Sequence, residues 1–279
     1  MKKFIAMLLA VMMVFAIAAC GNQQEKVVIT SPDDFKGLKV SVQTATTAHD
    51  DLQARNEAGL GATIMPYEKV TQCFDDLSLN RVSAVYVDSV VAGYYLAGED
   101  SKYKVVWESS EGEPMGFCLS KDNDELGNIL ESCIDMLYYN GTMADIATKH
   151  FGYNVTEGVR TVTEEPVIDT TNLKTIVDGK LLIGAEVGYP PMEYTDETGL
   201  EFIGFDIDLG KAIGELLGIE VEVVNTAWDG IFEGLGKNQY DVVISAVSIL
   251  PDRQEKYFMT EPYIANKLVI VTLNDEAAK

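Results

Sequence analysis

Strand-like and helix-like stretches alternate along most of this chain, in two runs separated by a break. Short apolar stretches typical of buried strands are each followed by segments whose apolar residues have helical spacing. Predicted strands occupy residues 38–43, 62–65, 84–87, 103–107, 115–119, 181–186, 220–224, 241–246 and 268–272. Predicted helices occupy residues 46–57, 68–79, 89–96, 125–139, 143–150, 205–217 and 228–235. This order predicts an α/β fold with mostly parallel sheets.

The break between the two runs covers residues 154–173. It contains five threonines and the sequence Glu164-Glu165-Pro166, and its apolar residues follow no helix or strand period. Such a composition predicts a linker between two structured regions. The runs on either side carry different motifs, so the chain is not an internal duplication.

The first twenty residues predict export. Two lysines after Met1 precede an uncharged apolar stretch over residues 4–19, which is shorter than the roughly 20 residues that span a bilayer. This is the form of a secretory signal peptide, here residues 1–19, and the small residues before Cys20 resemble a lipobox. We expect lipidated Cys20 to anchor the protein to the outside of the cell membrane, with residues 20–30 as a tether. The alternative is an ordinary signal peptide with an incidental cysteine.

Composition limits the partners and cofactors. The formal net charge is -23, and so acidic a surface repels phosphate backbones, which argues against nucleic-acid binding. Cys73, Cys118 and Cys133 are interpreted as small buried apolar side chains, with a disulfide as the alternative. The two histidines lack metal-ligand spacing. We expect no metal and no cofactor.

The second run resembles a known family through six ordered motifs. They are GAEVGYPPMEY at 184–194, GFDIDL at 204–209, NTAWDG at 225–230, YDVVIS at 240–245, SILPDR at 248–253 and TEPY at 260–263. Together they resemble the first lobe (lobe 1) of the amino-acid-binding proteins of ABC importers, the bacterial extracellular solute-binding proteins of family 3. The resemblance implies a type II periplasmic-binding-protein architecture with a ligand cleft between two lobes.

The first run resembles the rest of the same family. DDFKGLKV at 33–40, TATT at 44–47 and YVDS at 86–89 resemble the second lobe (lobe 2), and GTM at 141–143 with FG at 151–152 resembles the family's last helix. The family order is lobe 1, lobe 2, return helix, so this chain resembles a circular permutant. The implied map is as follows: lobe 2 at 31–118, return helices packing on lobe 1 at 119–153, a linker joining the family's usual ends at 154–173, and lobe 1 at 174–279. The new chain ends, near 26–30 and 274–279, are expected at a hinge between the lobes, so that one hinge strand is cut.

A zwitterionic amino acid needs a cation and donors at its carboxylate. Arg253 is the candidate carboxylate clamp, because guanidinium offers a planar fork and the matching arginine of the family has this role; a solvated arginine is the alternative. Ser248 adds a hydroxyl. Thr46 and Thr47 lie where a strand gives way to a helix, and the N–H groups at the start of that helix favour an anion. The alternative role of these threonines is a plain helix cap. Ala45 stands where the family usually has glycine.

At the other end the ligand's ammonium group needs an anion. Asp88 ends a predicted buried strand and is the candidate, with capping of the next helix as the alternative. Ser245 and Ala246 are expected to add backbone acceptors and donors.

Tyr189 and Trp228 are expected to wall the ligand's side chain, although core packing is the commoner role of such aromatics. Glu186 could reach the ligand's distal end, which favours a polar or basic amino acid; a rim carboxylate is the alternative. Three further acids are interpreted as structural or solvated: Glu193, Asp206 and Asp208.

The resemblance implies a monomeric binding protein that closes its lobes on a free amino acid and delivers it to an ABC transporter permease. We therefore expect no catalysis. Two alternatives stay open. One is an enzyme of the same fold, a dehydratase or cell-wall lyase, for which Glu186 is the only candidate general acid. The other is an amino-acid sensor subunit without transport.

Overall fold

The computed structural model describes residues 28–98 and 101–274, and within these ranges ten of twelve strands form two five-stranded sheets. The strands are β1 (Lys39–Gln43), β2 (Thr63–Tyr67), β3 (Ala84–Asp88), β4 (Tyr103–Glu108), β5 (Cys118–Ser120), β6 (Lys180–Ala185), β7 (Tyr194–Thr195), β8 (Phe202–Ile203), β9 (Glu220–Asn225), β10 (Val242–Val243), β11 (Tyr257–Met259) and β12 (Leu268–Leu273). The α-helices are α1 (Thr47–Glu57), α2 (Val70–Ser78), α3 (Ser89–Leu96), α4 (Asp124–Tyr139), α5 (Thr142–Phe151), α6 (Phe205–Leu217), α7 (Ile231–Gly236) and α8 (Pro251–Lys256).

Each sheet is the centre of one lobe. The lobe 2 sheet has the order β2-β1-β3-β12-β4, in which β12 pairs antiparallel with both of its neighbours. The lobe 1 sheet has the order β11-β5-β10-β6-β9, in which β5 is the antiparallel member. Each sheet thus takes its antiparallel strand from the other half of the chain. The predicted two-lobed α/β class is confirmed.

Two segments carry the chain between the lobes, residues 109–117 and 260–267. They lie side by side: the backbone N–H of Glu113 donates to the carbonyl oxygen of Asn266 at 2.7 Å, and that of Met115 to Ile264 at 3.0 Å. We call these paired segments the hinge. Both are continuous, so the lobes are joined by two connections.

The predicted position of the chain ends at the hinge is wrong, and so is the prediction that one hinge strand is cut. The lobe boundaries at 118 and 279 are also wrong in detail, because β5 completes the lobe 1 sheet and β12 completes the lobe 2 sheet. The described ends lie on lobe 2, where Ile29 packs in one apolar cluster with Phe35 and Ile270. The reason is that β12 is a short apolar run, and apolar character alone does not say which of two sheets a strand joins. The circular permutation itself stays a prediction.

Local signals in the sequence set the ends of several helices. α1 begins after Thr46, whose hydroxyl accepts a hydrogen bond from the N–H of His49 at 3.3 Å. α6 ends at Gly218, which adopts the left-handed conformation with φ +68°. The strand predicted at 241–246 is only two residues long, because the chain leaves the sheet before Ala246, where φ is +48°. Neither α8 nor β11 was predicted.

The three cysteines within the described ranges are buried in the cores. Cys73, Cys118 and Cys133 are fully buried and unpaired, which confirms their interpretation as small apolar side chains. The predicted signal peptide and lipidated Cys20 lie outside the described residues. Across 28–98 and 101–274 no helix is both long and apolar enough to cross a membrane.

Arg160 fixes the linker to lobe 1 and to the hinge. Its guanidinium group forms ion pairs with Glu131 at 2.6 Å and Asp135 at 2.8 Å, both on α4. It also donates to the carbonyl oxygens of Glu261 and Pro262 in the hinge. The Arg160 side chain is only 8% exposed, so this one residue ties the linker, α4 and one hinge segment together.

Candidate functional site

A narrow cavity lies between the two lobes and is lined by residues of both. Twelve residues line it: Gln43, Thr46, Thr47, Asp88, Glu186, Tyr189, Glu193, Trp228, Ser245, Ala246, Ser248 and Arg253. All ten residues proposed from the sequence are among them, although they come from both halves of the chain. Gln43 and Glu193 were not proposed.

Arg253 enters the cavity from the first turn of α8, where Pro251 occupies a starting position that suits its fixed φ. Its Nη1 donates to the carbonyl oxygen of Ser248 at 3.0 Å. The guanidinium carbon lies 5.7 Å from the ring centre of Trp228 and 5.1 Å from that of Phe232, so the aromatic rings hold the cation in place. Burial lowers the pKa of Arg253, against the opposing charge of Asp252. Among the described residues, Arg253 forms no ion pair.

Asp88 lies at the end of β3 with both carboxylate oxygens engaged. The Tyr189 hydroxyl donates to Oδ2, and Asn266 Nδ2 donates to Oδ1 at 2.6 Å. Asp88 precedes α3, but its side chain makes no capping hydrogen bond, so the capping alternative is not realised. Burial, followed by the charge of Glu113, raises the pKa of Asp88 to about 7, while the hydrogen bonds from Tyr189 and Asn266 oppose that rise.

The β1–α1 loop presents the two threonines from lobe 2. Ala45 adopts φ +59°, a left-handed conformation that costs a residue with a Cβ about 1–2 kcal/mol. Thr46 caps the helix, as the alternative role predicted, and it also lines the cavity. The Thr47 hydroxyl instead donates to Glu113 Oε1 at 2.6 Å.

Buried acids accept hydrogen bonds from the Ser245–Ala246 turn. The Ser245 hydroxyl donates to Glu193 Oε1 at 2.5 Å and accepts from the Glu186 N–H at 3.0 Å. The Ala246 N–H donates to Asp206 Oδ2 at 2.8 Å. A buried carboxylate therefore already takes the Ala246 N–H, and the expected ligand contacts of the backbone around Ser245 and Ala246 stay a prediction.

Glu186 is a buried carboxyl group at the edge of the cavity, 4% exposed. Gln43 Nε2 donates to its Oε2 at 3.3 Å across the lobe boundary. Burial raises the pKa of Glu186 to about 7, while the Gln43 hydrogen bond and the charge of Lys69 oppose the rise. A rim carboxylate is therefore excluded, because the group is not solvated.

Glu193, which lines the cavity, forms a fully buried acid pair with Asp206. Burial, and then the charge of Asp206, raises the pKa of Glu193 well above its ordinary value. Within the described structure, Glu193 Oε2 and Asp206 Oδ1 have no other hydrogen-bond partner, which fits one proton shared between the two groups. The solvated reading of these two acids is wrong. Asp208 is structural, since it pairs with Lys149 and His150.

Contacts across the cleft hold the lobes together in this structure. Trp228 Nε1 donates to the carbonyl oxygen of Ala45 at 2.8 Å, and the Tyr189–Asp88 and Gln43–Glu186 hydrogen bonds also cross the cleft. Trp228 and Tyr189 therefore wall the cavity and bridge the lobes. No group of metal ligands occurs among the described residues.

Comparison with known proteins agrees with this geometry. The model for bacterial extracellular solute-binding proteins, family 3, matches residues 181–278. Over 96 residues the chain is 35% identical to a probable amino-acid ABC transporter-binding protein of Haemophilus influenzae (34% of this chain, 37% of the relative). It is also 35% identical over 96 residues to the ABC transporter arginine-binding protein 1 of Escherichia coli (34% of this chain, 39% of the relative). It is 30% identical over 101 residues to a cyclohexadienyl dehydratase of Pseudomonas aeruginosa (36% and 37%).

The matches are partial, because the chain spans little more than a third of the length of these relatives. The matched residues include eight of the twelve that line the cavity, from Glu186 to Arg253. Over residues 181–278 the chain is therefore similar to the bacterial extracellular solute-binding proteins, family 3.

Proposed function

We propose that this protein captures a free amino acid in the cavity between its lobes and delivers it to an ABC transporter permease. The observation that carries this proposal is that ten residues predicted to bind an amino acid, from two distant parts of the sequence, line one cavity. Ligand contacts on both lobes favour a closed state that a transporter can recognise.

The charges of the cavity fit a zwitterion. Arg253 is a half-buried cation without an ion pair among the described residues, and its fork suits a carboxylate. Asp88 is a buried carboxyl group already hydrogen-bonded by Tyr189 and Asn266, and an ammonium group beside it offsets the cost of its burial.

The acids of the cavity favour a polar or basic ligand side chain. Asp88, Glu186 and Glu193 face a single cationic residue, Arg253, in the cavity wall. A cationic or amide side chain near Glu186 stabilises its ionised form, which burial otherwise disfavours. The Escherichia coli relative is named an arginine-binding protein, which supports the same choice.

The protein is proposed to act outside the cytoplasm as a monomer anchored through lipidated Cys20. The lipobox-like end of the signal supports the anchor, and the relatives' names support a transporter partner. Replacement by Cys20→Ser is expected to release the protein from the membrane fraction of cells. Retention of the variant in that fraction contradicts the anchor.

We further propose that the chain is a circular permutant of the family order. The exchange of β5 and β12 between the lobes supports this, as does the packing of Ile29 with Ile270 near the two described ends. A chain relinked in family order, cut within 154–173, is expected to fold and to bind the same ligand with similar affinity. Failure of the relinked chain to fold contradicts the proposal.

The amino-acid assignment is tested by thermal unfolding of the chain without residues 1–20 against each of the twenty amino acids. The protein is first freed of carried-over ligand by unfolding and refolding. A ligand at 100 to 1,000 times its Kd stabilises the folded state by about 3–4 kcal/mol, so one or a few amino acids are expected to raise Tm. No shift with any of them, in folded protein, contradicts the assignment.

An enzyme is the second candidate, favoured by one observation. Burial raises the pKa of Glu186 to about 7 within the cavity, which suits a general acid near neutral pH, and one relative is named a dehydratase. Mass spectrometry after incubation with prephenate-like compounds and with cell-wall glycans separates the two functions. Turnover that is lost in Glu186→Gln supports the enzyme, whereas no turnover supports binding.

A further inference from the structure

Glu113 lies on the hinge, between the two lobes. Its backbone N–H donates to Asn266 of the other hinge segment at 2.7 Å, which fixes the residue at the base of the cleft. Its side-chain Oε1 accepts from Thr47 Oγ1 of lobe 2 at 2.6 Å and from Ser248 Oγ of lobe 1 at 2.5 Å. A single carboxylate oxygen therefore links both lobes through charge-assisted hydrogen bonds.

The two hydroxyls held by Glu113 line the cavity and belong to the set proposed for the ligand's carboxylate. The charge of Glu113 also acts on both polar ends of that site. Burial lowers the pKa of Arg253, and the charge of Glu113 opposes that change. Burial raises the pKa of Asp88, and the charge of Glu113 raises it further. A carboxylate of the protein thus makes hydrogen bonds of the kind that a bound amino acid needs.

We propose that the Glu113 carboxylate is an internal substitute for the ligand's carboxylate. In the ligand-free protein it holds Thr47 and Ser248 together and keeps the lobes closed. A ligand carboxylate takes over these hydroxyls and displaces the Glu113 side chain. The closing role stands on the structure alone, whereas the displacement step rests on the proposed function.

Two variants separate charge from shape. Glu113→Ala removes both hydrogen bonds, and Glu113→Gln keeps the size and one acceptor oxygen but removes the charge. Glu111→Gln is the matched control, because Glu111 is an exposed acid on the same hinge segment. Thermal unfolding of all three variants verifies that each is folded.

Small-angle scattering of the ligand-free proteins tests the closing role. We expect Glu113→Ala to increase the radius of gyration relative to the wild type, with Glu113→Gln between them and Glu111→Gln unchanged. An unchanged radius in Glu113→Ala overturns the closing role. This measurement needs no ligand, so it stays decisive even if no amino acid binds.

Calorimetric titration with the stabilising amino acid tests the displacement step. Because a competing anion is removed, both Glu113 variants are expected to bind that ligand at least about tenfold more tightly than the wild type, a difference of about 1.4 kcal/mol. Glu111→Gln is expected to bind like the wild type. Equal or weaker binding by both Glu113 variants overturns the substitution, and weaker binding assigns Glu113 to the ligand's ammonium group.

Discussion

Replacement of Glu186 by glutamine is expected to change how stability depends on pH. Below pH 4.5 the carboxyl group is protonated in both the folded and the unfolded chain, so the wild type carries no penalty there. As pH rises, the unfolded chain ionises first, because burial raises the folded pKa from 4.5 to about 7. The wild type therefore loses stability from pH 4.5 to about 7 and little more above that.

The size of this loss follows from the two pKa values. One pKa unit corresponds to about 1.36 kcal/mol, so a rise from 4.5 to about 7 corresponds to about 3 kcal/mol. Glu186→Gln carries no such charge, and its free energy of unfolding relative to the wild type is expected to increase by about 3 kcal/mol between pH 4.5 and pH 8. Glutamine retains an acceptor for Gln43, so the local hydrogen bond survives.

Urea unfolding at several pH values measures this difference for ligand-free protein. Glu197→Gln is the control, since Glu197 is an exposed acid of the same lobe, and its difference from the wild type is expected to stay flat. A constant difference between Glu186→Gln and the wild type from pH 4.5 to 8 contradicts the raised pKa, because it means that Glu186 ionises in the folded protein as it does in water.

Three further changes test the site and the packing. Arg253→Lys is expected to weaken amino-acid binding at least about tenfold by calorimetry, because lysine lacks the bidentate fork; unchanged affinity contradicts the clamp. Gly127→Ala is expected to lower the free energy of unfolding by about 1–3 kcal/mol, since a Cβ meets the Phe258 ring at 2.5 Å. Gly93→Ala, an exposed helical site with nothing within 4 Å, is expected to raise it by up to about 1 kcal/mol, and equal effects of the two refute the packing argument. Arg160→Met is expected to lower the free energy of unfolding by about 1–3 kcal/mol, because the linker loses charged hydrogen bonds to two partly exposed carboxylates of α4; a loss below about 0.5 kcal/mol shows that the linker needs no such fixing.

Elements with local signals could be predicted from the sequence. The Thr46 cap and Gly218 mark helix ends by their own backbone chemistry, and α3 and α6 have the predicted bounds. The exchange of β5 and β12 between the sheets could not be predicted, because pairing depends on contacts between distant segments. The wrong prediction that the chain ends lie at the hinge has the same cause, because the pairing of β12 with the lobe 2 sheet was not predicted.

The cavity was largely predictable because its residues lie in motifs with the order of a known family. Two residues of the site, Glu193 and Glu113, could not be predicted, for physical reasons. Glu193 lies inside one of those motifs, but its complete burial and pairing with Asp206 depend on tertiary packing. No sequence pattern predicts the role of Glu113, because its contacts are with Thr47 and Ser248, which lie 66 and 135 positions away in the sequence.

An intact amino acid is proposed to bridge the two lobes through both of its charged groups. The most direct test is isothermal titration of the ligand-free protein with the amino acid that raises Tm, alongside two analogues. The methyl ester lacks the carboxylate charge, and the Nα-acetyl derivative lacks the ammonium charge. We expect saturable binding of the amino acid and at least about a hundredfold weaker binding of both analogues, since each leaves buried polar partners unmatched. Binding of either analogue as tight as that of the amino acid contradicts the proposal.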